Sequence, residues 1–254
     1  MARQAKPSAR SGAAKLSMSA KPQRESAAGT RDRAQRLLVG LQSNYPNAVC
    51  ALNHRNAFEL LIATILSAQC TDARVNIVTP ELFRRFPTPA SMAAATQHDI
   101  ETLVKSTGFY RNKAKSILGA SRLITERFDG QVPRTMDELL ELPGVARKTA
   151  NVVLGTAYGM NEGVVVDTHV GRLSGRMGLT RHTDPVKIER DLMKLFDQQH
   201  WTELSHLLIH HGRKLCTARK AMCDMCPLSS DCPKRGVTTA TKPRSETARD
   251  GGAT

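Results

Sequence analysis

The sequence predicts an all-α protein. Apolar residues recur at helical spacing along most of the chain, and only GVVVD at 163–167 is expected to be extended, a stretch too short to imply a sheet. Hydrophobic residues make up 40% of the chain but aromatic residues only 4%, so the core must consist mainly of Leu, Val, Ile and Ala. The 254 residues suffice for one or two domains with a substantial core.

The first half of the chain contains three strong helical patterns. Residues 57–68 (AFELLIATILSA) are apolar on every face, which predicts a buried core helix. Residues 71–86 predict a second helix that is broken near Pro80, because proline removes a backbone donor and clashes with the preceding turn. Residues 112–128 place apolar side chains on one face, which predicts a helix packed against the core on one side.

Three further helices are predicted in the second half. The segment 135–142 begins with Thr135 and Glu138, which are spaced as a capping box in which each side chain binds the other residue's backbone N–H. The segments 184–196 and 201–216 then continue the helical series to the C-terminal cysteines.

The charge distribution predicts a polyanionic partner. The formal net charge is +14, which favours nucleic acid over an acidic membrane, with a merely solvated basic surface as the alternative. Residues 1–30 predict a disordered basic arm, and residues 236–254 a second disordered tail. No stretch resembles a membrane span or a secretory signal, so we expect a reducing compartment, with the bacterial cytoplasm favoured and an organellar transit peptide as the alternative.

The stretch LPGVARKTANVVLG at 142–155 predicts two helices joined by a tight hairpin. Pro143 ends the first helix, and Gly144 permits a backbone geometry that other residues resist. The second helix begins near Arg147 with unpaired backbone N–H groups, which form a phosphate site that can grip a DNA backbone without reading its sequence. Arg147 adds positive charge beside this site and is predicted to contact DNA with Gly144 and Ala146. An ordinary corner between two helices is the alternative. Lys148 occupies the first turn, where positive charge is disfavoured.

Four late cysteines have the spacing of a metal-binding group. They follow the pattern C-x6-C-x2-C-x5-C, in which four thiolates would repel one another without a metal: Cys216, Cys223, Cys226 and Cys232. Spacing alone leaves tetrahedral zinc and a 4Fe–4S cluster open. Arg219 and Lys220, between the first two cysteines, are expected to face DNA phosphates.

The hairpin, followed nineteen residues after its lysine by the aspartate of VVVDTHVGR, resembles the helix–hairpin–helix DNA glycosylases and, among them, the endonuclease III family. The resemblance covers residues 31–235. It implies two all-α domains flanking a cleft, with a helical barrel at 51–160 and an iron–sulfur domain formed by 31–50 and 161–235. The cysteine spacing matches the family's cluster motif in every interval, so the resemblance favours a 4Fe–4S cofactor.

The resemblance also implies the catalytic residues. The amine of Lys148 would attack C1′ of the damaged nucleotide, form a Schiff base and cut the strand by β-elimination. Attack needs a neutral amine, which the helix terminus, Arg147 and partial burial are expected to favour. Asp167 reads as a helix N-cap on its own, and in the family it is the carboxylate that stabilises positive charge at C1′ or helps to deprotonate the lysine.

Further positions are implied as DNA contacts. Gln69 in LSAQCTD and Phe109 in STGFYRNKA would fill the gap left by an extruded nucleotide, although Phe109 stands where leucine is usual. Their alternatives are a helix-end glutamine and a core phenylalanine. His169 is a weaker candidate for contact with the lesion strand. Ala146 replaces the family's usual glycine, which would alter phosphate binding if its φ were positive.

The sequence thus predicts a base-excision repair enzyme that removes oxidised or damaged pyrimidines and cleaves abasic sites in duplex DNA, acting as a monomer away from membranes. A monofunctional adenine glycosylase is one alternative, although those relatives lack a lysine at position 148 and carry QQT in place of LSAQCTD. A non-catalytic DNA-binding module holding zinc is the other.

Overall fold

The computed structural model describes residues 25–237, and this part of the chain forms eleven α-helices without a β-strand. The all-α prediction is confirmed. The helices are α1 Ala27–Asn44, α2 Ala57–Ser67, α3 Asp72–Arg85, α4 Pro89–Ala93, α5 Gln97–Val104, α6 Tyr110–Arg127, α7 Met136–Glu141, α8 Arg147–Tyr158, α9 Thr168–Arg176, α10 Pro185–Leu195 and α11 Trp201–Lys214. Within residues 25–237 no helix is long and apolar enough to cross a membrane.

The predicted arm at 1–30 is wrong at its C-terminal boundary. Helix α1 begins at Ala27, and the Ser26 side chain caps it by accepting a hydrogen bond of 3.0 Å from the Gly29 backbone N–H. The short polar residues preceding the apolar pattern serve as a helix start. Residues 1–24 of the predicted arm and 238–254 of the predicted tail lie outside the described residues.

The predicted break near Pro80 is also wrong, because α3 continues through this residue to Arg85. Val78 and Thr79 are buried before the proline, and Leu82 and Phe83 are buried after it. The packing of both halves outweighs the one backbone hydrogen bond that proline removes.

The N-terminus of α7 contains half of the predicted capping box. Thr135 accepts a hydrogen bond of 3.3 Å from the Glu138 backbone N–H. The returning bond is made between side chains, because the Thr135 hydroxyl donates to Glu138 Oε2 at 2.6 Å. The backbone N–H of Thr135 is therefore outside this exchange.

Two separate apolar clusters form the core. The first is built from residues between Leu52 and Leu154, with the buried helix α2 inside it. The second combines apolar residues of α1 and the following Tyr45 with residues from Val164 to Leu228. Helix α8 belongs to the first cluster and contacts α11 of the second.

The segment 163–167 forms neither helix nor strand among the described residues, and Asp167 at its end has an extended backbone. The segment runs along α11, where the Val165 backbone N–H donates a hydrogen bond of 3.0 Å to the Ser205 hydroxyl. Because Val164 and Val165 are buried, the segment fixes the position at which Asp167 emerges.

Candidate active site

The hairpin at residues 142–146 places a helix N-terminus between the two apolar clusters. Gly144 has a φ of +80°, and a Cβ added there would lie 2.7 Å from Cβ of Ser116. Only glycine satisfies both constraints without strain. Helix α8 then begins at Arg147, which puts Lys148 in its first turn.

Ala146 is the N-cap residue of α8, with φ −101° and ψ 168°. This is extended backbone that alanine adopts freely, so the expected cost of replacing glycine is not incurred. Within residues 25–237 no side chain caps this helix end, so the first-turn N–H groups have no side-chain acceptor.

Lys148 and Asp167 both line an open cavity of about 810 Å³, whose other walls come from residues 166–236. They also both line a narrower cavity of about 110 Å³ on the side of Asp72 and Arg213, which form an ion pair. The structure thus brings the two predicted catalytic residues together. The expected partial burial of Lys148 is wrong: its side chain is exposed, because the uncapped turn projects into the open cavity.

Asp167 is the N-cap of α9, as the sequence indicates. Its Oδ1 atom accepts hydrogen bonds of 2.8 Å from the backbone N–H groups of both His169 and Val170. A carboxylate at a helix N-terminus is favoured by the helix dipole, and the two bonds hold it rigidly. Both bonds end on one oxygen, which leaves Oδ2 outside the cap.

Arg147 is engaged in an ion pair between the two clusters. Its Nε and Nη2 atoms lie 3.1 and 3.2 Å from the carboxylate oxygens of Glu189 in α10. Asn151 Nδ2 donates to the same carboxylate at 3.0 Å. The Glu189 side chain is only 8% exposed. The positive charge that the sequence places beside Lys148 is therefore largely compensated, and Arg147 holds the first turn of α8 against α10.

Gln69 and Phe109 share an unusual backbone conformation. Gln69 has a φ of +53° and Phe109 a φ of +47°, backbone values that residues other than glycine rarely adopt. Both side chains are exposed, Phe109 by 66%. The alternative of a core phenylalanine is thus excluded, while the DNA contacts of both residues stay predictions.

His169 is half-buried beside the Asp167 cap. Burial lowers the pKa of this imidazole, although the Asp167 carboxylate opposes the shift. Its Nδ1 atom lies 3.2 Å from Nη2 of Arg172. The contact favours a neutral ring whose Nδ1 accepts, because a guanidinium can only donate.

The four predicted ligand cysteines line one common, mostly apolar cavity. Burial raises the pKa of Cys226 and Cys232, and the neighbouring cysteines raise both further. Arg176 Nη1 lies 3.2 Å from Sγ of Cys216, and the buried His211 has Nε2 3.6 Å from Sγ of Cys226. Among residues 25–237 no three His, Cys, Asp or Glu side chains converge closely enough for a single ion.

The loop between the first two cysteines is folded on itself and basic. Thr217 Oγ1 accepts from the Lys220 backbone N–H at 3.1 Å and donates to its carbonyl at 2.7 Å. This turn leaves the Arg219 and Lys220 side chains exposed.

Several supporting residues were missed by the sequence reasoning. Glu189 and Asn151 stand in no motif, and only the position of an acidic residue beside buried Ile188 could have drawn attention to Glu189. Arg176 contacts Cys216 from 40 residues away in the sequence, and His211 contacts Cys226 from 15 residues away, and no local pattern encodes either contact.

Residues 62–198 match the HhH-GPD superfamily of base excision DNA repair proteins. This match spans more than half of the chain. The all-α fold and the hairpin that precedes α8 are those expected of this superfamily. The chain is therefore a helix–hairpin–helix base-excision repair protein.

Relatives narrow the assignment. The chain is 56% identical to Endonuclease III of Synechocystis over 206 residues, which cover 81% of this chain and 94% of the relative. It is 47% identical to Endonuclease III of Bacillus subtilis over 189 residues, covering 74% and 86%. A solved non-covalent Endonuclease III–DNA complex superposes with a TM-score of 0.76 at 43% identity, covering 80% of this chain and 95% of that one. This chain belongs to the endonuclease III family and is a DNA glycosylase and abasic-site lyase.

Proposed function

We propose that this enzyme excises oxidised or saturated pyrimidines from duplex DNA and then cleaves the resulting abasic site, with Lys148 as nucleophile. The observation that carries the proposal is the cavity of about 810 Å³ that Lys148 and Asp167 both line. A lysine on an uncapped helix terminus and a carboxylate held by two backbone bonds are the pair that this chemistry needs.

In this mechanism Nζ of Lys148 donates its electron pair to C1′ of the damaged nucleotide. The bond from C1′ to the base breaks, and the base leaves with that electron pair and takes up a proton. Opening of the sugar ring then gives a Schiff base between C1′ and Nζ. Loss of a proton from C2′ moves electrons towards C3′, the bond to the 3′ phosphate oxygen breaks, and water releases Lys148. Asp167 stabilises the positive charge that develops at C1′.

The DNA backbone would be held at two places. The first-turn N–H groups of α8, reached through Gly144 and Ala146, would bind a phosphate. Exposed Arg219 and Lys220 would bind a second stretch of backbone. Both grips are independent of base sequence, as a repair enzyme that searches the whole genome requires.

The nucleotide must leave the stack before C1′ becomes accessible. Gln69 and Phe109 are exposed on two loops, and their left-handed backbones turn both side chains outward. We assign them to the space vacated by the extruded nucleotide, where an amide and an aromatic ring would contact the partner base and its neighbours.

We also propose a 4Fe–4S cluster in the cavity lined by the four cysteines, Cys216, Cys223, Cys226 and Cys232. Four thiols around one shared space, with Arg176 and His211 beside two of them, fit a cluster whose negative charge needs nearby donors. When bound, the cluster supplies a rigid anchor for the basic loop and a redox centre. Iron and sulfide analysis, together with the brown colour of the protein, would separate this cluster from colourless zinc.

We place the enzyme, as a monomer, in the cytoplasm of a bacterial cell, where its substrate DNA lies. The bacterial relatives and the reducing compartment that thiol ligands need support this location.

The lesion class is tested by excision from duplexes carrying thymine glycol, 5-hydroxycytosine or adenine opposite 8-oxoguanine. We expect release of both pyrimidines by the wild-type enzyme and by Lys187→Gln, which alters an exposed first-turn lysine of α10. Lys148→Gln should release neither. Excision of adenine instead of the pyrimidines would favour the adenine glycosylase alternative.

A further inference from the structure

Lys113 is a buried lysine that the proposed chemistry does not use. It lies in α6 and is 5% exposed, and burial lowers the pKa of its ammonium group. Its Nζ atom donates hydrogen bonds of 2.8 Å to the backbone carbonyls of Leu66 and Thr107. No carboxylate pairs with it among residues 25–237. Burying an ammonium without a counter-charge is costly, so its two carbonyl partners must matter to the fold or to function.

The two carbonyls belong to the two loops that open the duplex in the proposed function. Leu66 lies in the last turn of α2, three residues before Gln69. Thr107 ends the 3-10 turn Lys105–Thr107, two residues before Phe109. Carbonyls at the end of a helix lack partners within it and carry partial negative charge, which suits an ammonium donor.

Lys113 is also tied to the second loop through the main chain. Its backbone N–H donates to the Phe109 carbonyl at 3.1 Å, in the first turn of α6. The residue therefore joins the bases of both loops. Each loop contains a single non-glycine residue at positive φ, Gln69 in one and Phe109 in the other.

We infer that Lys113 is a positioning residue that fixes the separation of Gln69 and Phe109, so that the two side chains enter the duplex together. This inference rests on the proposed function of those two residues. Without the shared donor the loops would have to be ordered during DNA binding, and ordering costs affinity that a preorganised pair retains. The clamp acts on duplex opening and has no part in attack at C1′.

The test compares Lys113→Met with Lys115→Met in the full-length, cluster-loaded protein. Lys115 lies on the same helix and is exposed, so its replacement removes the same charge without touching the loops. Two readouts are needed. One is the fluorescence of 2-aminopurine opposite a tetrahydrofuran abasic analogue in duplex DNA, together with the Kd for that duplex. The other is borohydride trapping on a single-stranded abasic oligonucleotide, which needs no opening.

We expect Lys113→Met to weaken duplex binding by about tenfold, which is the cost of ordering one or two side chains, and to lose most of the fluorescence rise. Trapping on the single strand should stay within about twofold of wild type, and Lys115→Met should keep the fluorescence rise. Equal losses on single-stranded and duplex DNA would show a general structural role and overturn the inference. Unchanged duplex binding and fluorescence would overturn it as well.

Gln69→Ala and Phe109→Ala separate this inference from the function on which it rests. If neither alters the fluorescence, the proposed role of both loops fails. If both reduce it while Lys113→Met does not, only the clamp fails. Should Lys113→Met not fold, Lys113→Arg replaces it, because it keeps the charge and donors but changes their reach. That variant should lose fluorescence on the duplex and keep single-strand trapping, and wild-type behaviour would contradict the clamp.

Discussion

Arg147→Ala should damage the folded state more than DNA binding. Arg147 gives two hydrogen bonds to Glu189, whose side chain is 8% exposed, and only the bond from Asn151 would then remain. Breaking a fully buried pair costs about 3–5 kcal/mol, but the Arg147 side is 46% exposed and therefore screened. We expect a loss of about 2 kcal/mol in the free energy of unfolding for Arg147→Ala.

A double-mutant cycle isolates the contact between the two side chains. Urea unfolding of Arg147→Ala, Glu189→Gln and the double variant should give a coupling energy of about 1 kcal/mol, because the groups touch directly. Arg190 is an exposed arginine in α10, and Arg190→Ala serves as the control. Its coupling energy with Glu189→Gln should be close to zero.

The salt dependence of duplex binding then separates an ion pair from a phosphate contact. Losing one phosphate contact lowers the slope of log K against log salt concentration by about 0.9. We expect this decrease for Arg219→Ala and an unchanged slope for Arg147→Ala. A decrease of about 0.9 for Arg147→Ala, with no stability coupling to Glu189, would refute the reasoning.

Three other changes should have measurable effects. Gly144→Ala should weaken duplex binding and lower stability by at least about 1–2 kcal/mol, because φ is +80° and Ser116 occupies the Cβ position; circular dichroism melts and binding to a tetrahydrofuran duplex measure both. Gly155→Ala should overlap Thr202, shift α8 against α11 and slow Schiff-base formation, which borohydride trapping measures, while the m-value in urea unfolding stays that of the wild type. His169→Asn should flatten the acid side of the stability profile. The buried ring binds protons less readily than its ordinary pKa of 6.5, so wild-type stability is full above that pH and falls as pH drops through the lowered pKa. Urea titrations between about pH 7 and pH 5 that show equal losses for both proteins would contradict this.

Local patterns were sufficient for the long helices α2 and α6 and for the residues at the hairpin. Apolar periodicity marks α2 and α6, and the Pro-Gly turn marks the start of α8 to within a residue. These features depend on neighbours within a few positions along the chain. The continuation of α3 through Pro80 does not, because it depends on buried contacts that both halves make with other helices.

The exposure and pairing of charged residues in the site were less predictable for the same reason. The exposure of Lys148 and the pairing of Arg147 with Glu189, 42 residues apart, are set by how the two clusters meet. The position of Lys113 is visible in the sequence pattern, because this lysine precedes buried Ile117 by one helical turn on the apolar face of α6. A charged residue in an apolar stripe predicts a buried partner but does not identify it.

The central claim is that Lys148 is the nucleophile, and borohydride trapping on a duplex with one abasic site tests it most directly. We predict a covalent adduct with the wild-type enzyme and with Lys187→Gln, and none with Lys148→Gln, while all three proteins bind a tetrahydrofuran duplex. An adduct of undiminished yield with Lys148→Gln would contradict the account, because another amine would then form the Schiff base.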